Sequence, residues 1–281
     1  MWRRGDCMKP GIYYDISNED YHNGDGVSKS NLDDMAKCPA IYQWKKKAPE
    51  CEEKKAALNM GTALHCLLLE PQYFNKRFLV IPKFDLRTKK GKEDRDQFIN
   101  ENYSPDKIII TEDEEKKLRL MQESAFSHPD AKRLLDAQGV CEASLYWTDF
   151  ETDVLCKIRP DKIVTINGTP IIVDVKKTSN INDFGRSVEE YRYHVQASMY
   201  IDGYTEIFDI QPIFLFIAVS EVIEAGRYPV RVFQLDEHDL NIGYTLYREN
   251  LLTYAHCLQS NRWNGIETIQ RPQWIRRNER D

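Results

Sequence analysis

The stretch TPIIVDVKKT, residues 169–178, constrains the fold of this chain more than any other part of the sequence. Its apolar half, residues 170–173, is typical of a buried strand, yet it leads directly to Asp174 and Lys176. Side chains alternate along a strand, so these two charges lie on the same face. Burying them without partners costs free energy. They therefore either form a simple ion pair at the end of the strand or share a third party, such as a metal ion and its substrate.

Composition narrows the class of protein. With 281 residues, 41% of them hydrophobic and 30% charged, the chain can bury a large core and is expected to be soluble. The net charge of −6 argues against a generally basic nucleic-acid-binding domain. Three basic islands nevertheless stand out, and each is either a solvated face or a ligand contact. They are WKKKAP (44–49), RTKKGK (87–92) and RPQWIRRNER (271–280).

Cysteine spacing and hydropathy indicate in which cellular compartment the protein is expected. The seven cysteines form no CxxC motif or paired spacing, which favours reduced thiols in a cytoplasmic protein over a disulfide framework or a zinc site. No segment has the length and apolarity of a membrane span, so we expect no membrane partner. The N-terminal residues carry positive charge but no apolar run behind it, so they do not form a secretory signal.

The pattern of the chain predicts one domain over residues 1–281. Residues 1–140 are mainly helical, 141–235 form an α/β core, and 236–281 form a helix with a basic tail. The polar residues 82–107 are expected to form a mobile loop. Predicted helices of the N-terminal part lie at 28–47 with a break at Pro39, at 59–71, at 111–128 with Thr111 as N-cap, and after Pro129.

In the core, three successive predicted strands are followed by a helix, two more strands and a final helix, an order that predicts a mixed central sheet flanked by helices. The dipeptide Asn167-Gly168 is a strong hairpin signal between two of the strands. Predicted strands lie at 141–149, 153–166, 169–178, 212–220 and 228–235, and predicted helices at 187–206 and at 236–260, the last with Asp236 as N-cap.

Asp161 lies thirteen residues before Asp174. The hairpin can place the two carboxylates side by side on adjacent strands, where they repel each other and require a cation. Oxygen ligands of this kind suit Mg²⁺ or Mn²⁺, which keep waters and take a phosphate as a further ligand. Lys176 can then reach the attacking water or the scissile phosphate. The alternative is a solvent-facing acid and lysine at the end of a strand, and spacing alone leaves both open.

Two other polar features accompany the carboxylates. Gln196 and Tyr200 are four residues apart and share one helix face, next to Tyr193. His65 is the strongly polar residue of the apolar stretch ALHCLLLEP. Each pattern also fits an ordinary core: an amphipathic helix in the first case and a satisfied core histidine in the second. Beside a carboxylate pair, however, His65 becomes a candidate nitrogen ligand for the metal.

Together these motifs resemble the PD-(D/E)-x-K nuclease superfamily in its RecB-like branch. Each motif is weak alone, but their order along residues 28–200 is specific. Over its whole length the chain resembles the nuclease domains of RecE-type exonucleases (exodeoxyribonuclease VIII). The motifs are SKSNL (28–32), CPAIY (38–42), GTALHCLLLEP (61–71), RPD (159–161), IIVDVK (171–176) and QASMY (196–200), with GIYYDISNEDYH (11–22) supporting the RecE-type resemblance.

The resemblance implies a restriction-endonuclease-like α/β core and a role for individual residues. Asp174 stands where many members of the superfamily have Glu, a substitution that the pattern allows. Lys176 is the implied catalytic lysine, and Gln196 and Tyr200 belong to the helix that marks this branch. Glu142 matches a position that is often acidic. The implied metal ligands are His65, Asp161, Asp174 and the backbone carbonyl of Val175.

The function implied by the resemblance is a Mg²⁺-dependent exodeoxyribonuclease, with Mn²⁺ as a second possible metal. It digests one strand of linear double-stranded DNA from the 5′ end and leaves a 3′ overhang for recombination. A RecT-like single-strand-annealing protein is the implied partner. Because an acidic chain has little general attraction for DNA, an assembly that encloses its substrate is favoured. The resemblance to prophage and related phage exonucleases implies that this assembly is a toroidal homotetramer.

Three alternatives were considered. An iron–sulfur nuclease of the same branch requires clustered cysteines after the core, where only Cys257 is present. The others are a non-catalytic DNA-binding module on a nuclease fold and a metal-dependent hydrolase of another substrate. Asp161, Asp174 and Lys176 argue against a module that has lost its catalytic residues. An assay of magnesium dependence on linear duplex DNA separates these possibilities.

Overall fold

The protein is described by a computed structural model over residues 8–48, 52–105 and 107–277. Cys7, Cys51, Pro49 of the first basic island and residues 278–280 of the third lie outside these ranges. The predicted helical region at 28–47 is confirmed as two helices that meet at Cys38. Pro39 ends the first helix and suits the first position of the next, where no N–H is needed. The first elements are β1 (Gly11–Tyr13), α1 (Asn18–Asn23), α2 (Lys29–Lys37) and α3 (Pro39–Lys47).

The next part of the chain contains the first error of the sequence analysis. Residues 82–107 are not a loop, since a helix occupies most of them. Its polarity concealed good helix-forming residues, and the Thr88 side chain caps it by accepting from the Gly91 N–H. A two-stranded parallel sheet beside it was also missed. The elements are α4 (Glu52–Leu69), α5 (Phe74–Arg77), β2 (Phe78–Ile81), α6 (Lys89–Asn102) and β3 (Ile108–Thr111).

Two helices lead into the core, as predicted. Thr111 and Glu114 form a capping box, in which each side chain bonds to the backbone N–H of the other residue. Four acidic residues in the first turn complement the helix dipole. The next helix begins at Pro129, immediately after its cap His128. These helices are α7 (Glu112–Ser127) and α8 (Pro129–Asp136).

The core strands belong to two sheets, and the strand predicted at 141–149 is divided between them at Glu142 and Ala143. The strand predicted at 153–166 is wrong as a single element, because the chain breaks at residues 159–161 and changes sheet. Pro160 accounts for the break, since proline cannot donate to a ladder. The strands are β4 (Gly139–Cys141), β5 (Ser144–Thr148), β6 (Leu155–Ile158), β7 (Lys162–Ile166), β8 (Thr169–Thr178), β9 (Ile213–Ser220) and β10 (Val230–Phe233).

The larger sheet positions the two aspartates. Its strand order is β10-β9-β8-β7-β4, with β8 and β9 parallel and the other neighbours antiparallel. Strands β7 and β8 are joined by a two-residue turn in which Asn167 and Gly168 have φ values of 52° and 81°, as the hairpin signal requires. Lys162 pairs with Val173. Extending that register by one residue sets Asp161 opposite Asp174.

The smaller antiparallel sheet has the order β1-β5-β6 and packs with helices on one side of the larger sheet. The helix predicted at 187–206 is two helices, separated where Arg192 adopts a left-handed conformation with φ 54°. The strands predicted at 212–220 and 228–235 and the last long helix with its Asp236 cap are confirmed. The helices are α9 (Phe184–Glu190), α10 (Tyr193–Phe208), α11 (Glu237–Ser260) and α12 (Gln273–Arg277).

Strand β8 separates two hydrophobic cores. Ile172 faces the core formed with α10 and α11, whereas Val173 and Val175 face the core formed with α4, α7 and α8. Alternation therefore turns Asp174 and Lys176 toward α10. Helices α10 and α11 approach closely at Gly243, where a Cβ would lie 2.3 Å from the His194 carbonyl oxygen. Within the described residues, no helix is both long enough and apolar enough to cross a membrane.

Candidate active site

The two predicted aspartates converge at the open end of the β7–β8 hairpin. Asp161 and Asp174 are both buried, at 9% and 2% exposure. The Val175 N–H donates to Asp161 Oδ2 at 2.7 Å, which fixes the orientation of that carboxylate across the hairpin. Val175 thus contacts Asp161 through its N–H. The role of the Val175 carbonyl as a metal ligand stays a prediction.

Asp174 is held by two other predicted residues. Its Oδ1 lies 2.5 Å from Lys176 Nζ, and its Oδ2 accepts a 2.7 Å hydrogen bond from Gln196 Nε2. The Lys176 ammonium also lies over the Tyr193 ring, 4.7 Å from its centroid. The ion pair considered from the sequence is therefore present, but it is inside the protein rather than at a solvent-facing strand end.

Burial and mutual charge set the protonation of this pair. Burial raises the pKa of Asp174, and the nearby Asp161 carboxylate adds to that effect, while the Lys176 ammonium opposes it. Burial would lower the pKa of Lys176, but the carboxylates of Asp174 and Asp161 raise it above the ordinary lysine value. Lys176 is therefore a protonated cation at neutral pH, with 17% of its side chain exposed.

A second cluster brings together His65, Glu142 and Asp161. One candidate ligand atom from each lies within 4.8 Å of the other two. His65 Nδ1 is 3.3 Å from Asp161 Oδ2, and the His65 side chain, on α4, is 29% exposed and so open to a ligand. Asp174 lies outside this cluster. Its assignment as a metal ligand stays a prediction, whereas Glu142, which the sequence marked only through the resemblance, is brought to the cluster.

Glu142 occupies an unusual backbone position. It lies between β4 and β5, where the chain leaves the larger sheet for the smaller one, and its φ is 54°. A left-handed conformation is uncommon for a residue with a Cβ, and such strain is often found at functional sites. The Glu142 N–H donates to the Asp161 carbonyl at 3.1 Å, so the same corner fixes both acidic residues.

The pKa values of the cluster suit a cation. Burial, reinforced by the Asp161 charge, raises the pKa of Glu142 to about 7. Burial opposes the charged form of His65, but Asp161 and Asp174 raise its pKa to about 9. Burial would raise the pKa of Asp161, but His65 and Lys176 lower it. Carboxylates in one buried space repel each other, and a positive charge between them relieves that repulsion.

The donor set of the cluster fits a divalent metal. One imidazole nitrogen and two carboxylates converge there, and carboxylates are preferred by Mg²⁺ and Mn²⁺ while imidazole accepts transition metals. His65, Glu142 and Asp161 are thus the residues that could hold the ion. The adjacent Asp174 Oδ1 is buried without a well-oriented hydrogen bond, although the Lys176 ammonium contacts it.

Tyr200 and Arg159 stabilise the backbone next to the acidic residues of the site through hydrogen bonds. The Tyr200 hydroxyl donates to the Arg159 carbonyl at 3.3 Å, and the Arg159 guanidinium donates to Ser144 Oγ and to the Ile16 carbonyl. These bonds hold the turn that precedes Asp161. Tyr200 therefore contacts the backbone of the RPD motif rather than a carboxylate. Arg159 was not predicted as a site residue from the sequence, although its place in that motif was the available signal.

Lys29 and Arg192 form a further cationic group that the sequence analysis did not single out. Both pair with Asp33, at 2.7 and 3.1 Å, and Lys29 Nζ also donates to the Tyr191 carbonyl at 2.6 Å. The first turn of α2 is thereby tied to the start of α10, next to Tyr193. Only the position of Lys29 within the SKSNL motif indicated its proximity.

The arrangement defines a PD-(D/E)XK fold: a mixed sheet with its acidic residues at one hairpin, flanked by helices. The family described as "PDDEXK-like domain of unknown function (DUF3799)" matches residues 28–269, and this protein belongs to that family. PD-(D/E)XK nucleases generally use divalent metals, in agreement with the donor set of the cluster. No curated protein matches the chain significantly.

One solved structure supports the restriction-endonuclease-like fold. The structure of a protein from Eubacterium rectale, described as "Putative exonuclease", superposes with a TM-score of 0.58 at 14% identity, covering 92% of this chain and 97% of that chain. A second structure, SSO0001, matches with a TM-score of 0.29 at 11% identity, over 69% of this chain and 86% of that chain, and is too dissimilar to support an argument. The first likeness shows a shared fold.

Replacing His65 with Ala tests whether this histidine is a ligand. If it is, metal affinity or metal-dependent activity should fall by at least about 100-fold, since even indirect partners of a metal typically contribute 10–100-fold. Thermal stability should change little, because Asp161 keeps its bond to Val175. Titration calorimetry with Mn²⁺ and thermal melting measure the two effects. Thr62→Ala, an exposed change on the same helix, is the control. Earlier melting with full activity would make His65 a core residue.

Proposed function

We propose that the protein is a metal-dependent exodeoxyribonuclease that degrades one strand of linear double-stranded DNA from the 5′ end and leaves a 3′ overhang. One observation carries the proposal. The buried Asp174–Lys176 pair lies on the strand next to Asp161, which itself contacts His65 at 3.3 Å. An acidic cluster with a nitrogen ligand, beside a cation, is the arrangement that phosphodiester hydrolysis needs.

The residues divide the chemistry between them. His65, Glu142 and Asp161 would hold the metal, with Asp174 as a further ligand. A bound divalent ion lowers the pKa of its water and polarises a phosphoryl oxygen. Lys176 remains protonated beside Asp174, so it can stabilise the charge that develops on the phosphate or orient the attacking water. Gln196 holds the Asp174 carboxylate, and Tyr200 holds the turn before Asp161.

The proposal extends to the polarity of digestion, the assembly and the pathway. The RecE-type motif order favours 5′-to-3′ digestion, Mg²⁺ as the metal and a RecT-like annealing partner in recombination, in the cytoplasm. The description of the Eubacterium rectale neighbour favours an exonuclease. The net charge of −6 favours an assembly that stays on DNA by enclosing it instead of by general attraction, and the RecE-type resemblance favours a toroidal homotetramer.

End-labelled DNA tests the reaction. A linear duplex labelled at either the 5′ or the 3′ end, and a closed circle of the same sequence, are incubated with Mg²⁺, with Mn²⁺ or with a chelator. We expect metal-dependent release of 5′-terminal nucleotides from the linear duplex and no cleavage of the circle. Cleavage from the 3′ end or within the circle would refute the exonuclease polarity while leaving a nuclease. Binding without cleavage at any metal concentration would leave a non-catalytic module.

A further inference from the structure

The end of helix α3 presents an unusual surface. Trp44, Lys45, Lys46 and Lys47 are consecutive and all exposed, with 66% of Trp44 accessible to solvent. Helix α3 contains no acidic residue. In a chain with a net charge of −6, this is a concentrated positive patch with a large aromatic ring in it.

Helix stability explains only part of this surface. Lysines in the last turn complement the helix dipole, and Lys45 pairs with Asp34 at 2.5 Å. Lys46 and Lys47 have no acidic partner within the part of the chain that the structure describes. Neither the dipole nor Asp34 accounts for an exposed indole, because burying a tryptophan would be favourable.

The core explains the orientation of Trp44 without providing a partner for it. Tyr42 is buried two residues earlier, where its ring stacks on Trp263 and meets Tyr254 edge-on. Residues two apart on a helix point about 200° from each other, so Trp44 faces away from that core. The aromatic ring and the three lysines are therefore all exposed to solvent, and together they surround the last turn of the helix.

The patch lies within reach of the candidate active site. The first turn of α2 is bonded there, through Lys29 to the Tyr191 carbonyl, two residues before the ring that Lys176 contacts. From that turn α2 extends about 13 Å at 1.5 Å per residue. The Asp34–Lys45 pair then folds the end of α3 back beside α2. A flexible nucleic-acid strand that occupies the site could continue onto the patch.

We propose that the end of α3, Trp44 with Lys45, Lys46 and Lys47, binds single-stranded nucleic acid. The indole face stacks on a base, and the ammonium groups neutralise the adjacent phosphates, a combination that binds single strands without sequence preference. This deepens the proposed function, since it gives the separated strand at the enzyme a place to bind. A duplex, whose bases are already stacked, would use the lysines but not the ring.

Binding without cleavage tests the patch separately from catalysis. The affinity of a fluorescent single-stranded oligonucleotide is measured by anisotropy in a chelator, at several salt concentrations. Lys46→Glu/Lys47→Glu should weaken binding by at least about tenfold and reduce the salt slope by about 1.4, that is, 0.7 for each lost phosphate contact. Trp44→Ala should weaken single-strand binding by about tenfold, and Trp44→Phe should retain most of it.

A matched control separates the patch from overall charge. Lys89→Glu/Lys90→Glu makes the same charge change on two adjacent exposed lysines of α6, and binding should stay close to that of the unmodified protein. Equal weakening in both double variants, or unchanged binding in the α3 variants, would overturn the proposal. Equal losses for Trp44→Ala on a single strand and on a blunt duplex would also overturn the stacking role.

The proposed function is assessed independently by metal-dependent hydrolysis of the end-labelled linear duplex by the unmodified protein. If that hydrolysis is absent but the α3 variants lose single-strand binding, the nuclease proposal fails and the patch stands. If hydrolysis is present and the α3 variants bind normally, the patch fails and the nuclease proposal stands. Thermal melting of each variant confirms that the exposed substitutions leave the fold intact.

Discussion

Asp174→Asn is expected to reduce metal-dependent cleavage of linear duplex DNA by several orders of magnitude while the chain remains folded. The substitution keeps the size of the side chain but removes the carboxylate charge. That carboxylate pairs with Lys176 Nζ at 2.5 Å and accepts a hydrogen bond from Gln196. It also removes negative charge next to the proposed metal ligands. Single-turnover cleavage rates and thermal melting measure the two effects, and near-normal cleavage would contradict the assignment of the site.

Variants of two neighbouring lysines separate metal binding from turnover. Lys176→Met should retain metal binding but lose turnover if, as proposed, the ammonium acts on the reacting groups and not on the ion. Lys177→Met is the matched control: its side chain pairs with Glu221 on the other face of β8 and should leave cleavage nearly unchanged. Loss of metal binding in Lys176→Met would assign this lysine a structural role instead.

A double variant separates charge pairing from catalysis. Either single change leaves one member of a mostly buried ion pair without its partner, which lowers the free energy of unfolding. Asp174→Asn/Lys176→Met removes both charges, so it should be more stable than the sum of the single changes predicts. It should still not cleave DNA. Recovery of cleavage together with stability would mean that the pair has only a structural role.

Local signals explain which parts of the architecture could be read from the sequence. The β7–β8 hairpin was predictable because Asn167 and Gly168 tolerate positive φ, and the register that this two-residue turn fixes sets Asp161 opposite Asp174. The helix at 112–127 was equally clear, because its capping box lies within four residues. Such features depend on neighbours in the chain, so a single sequence contains them.

Other features depend on contacts that sequence spacing does not reveal. Helix α6 is polar on most sides, and its Phe98 contacts Phe84 from an adjoining loop, so no apolar periodicity marked it. The chain passes from one sheet to the other at Pro160, and tertiary packing determines which sheet each strand joins. The bond from Tyr200 to the Arg159 carbonyl joins residues 41 positions apart. The strained corner at Glu142 likewise has no local signature, since neither glycine nor asparagine marks it.

That corner provides the last prediction, in which function and stability should separate. A left-handed backbone costs a residue with a Cβ about 1 kcal/mol relative to glycine, and the half-buried Glu142 carboxylate is also repelled by Asp161. Glu142→Gly removes both costs, so the melting temperature should stay the same or rise. If Glu142 is a ligand, cleavage should nevertheless fall by at least about 100-fold.

Two further variants distinguish the backbone from the carboxylate. Glu142→Gln keeps the strained corner and loses the charge, so its cleavage should be as poor as that of Glu142→Gly. Asp153→Gly relieves the same φ of 54° at an exposed turn before β6, at the opposite end of that strand from Asp161. It should gain stability without losing cleavage. If Glu142→Gly cleaves as well as Asp153→Gly, the metal is held without Glu142, and the strain at this corner serves the change of sheet alone.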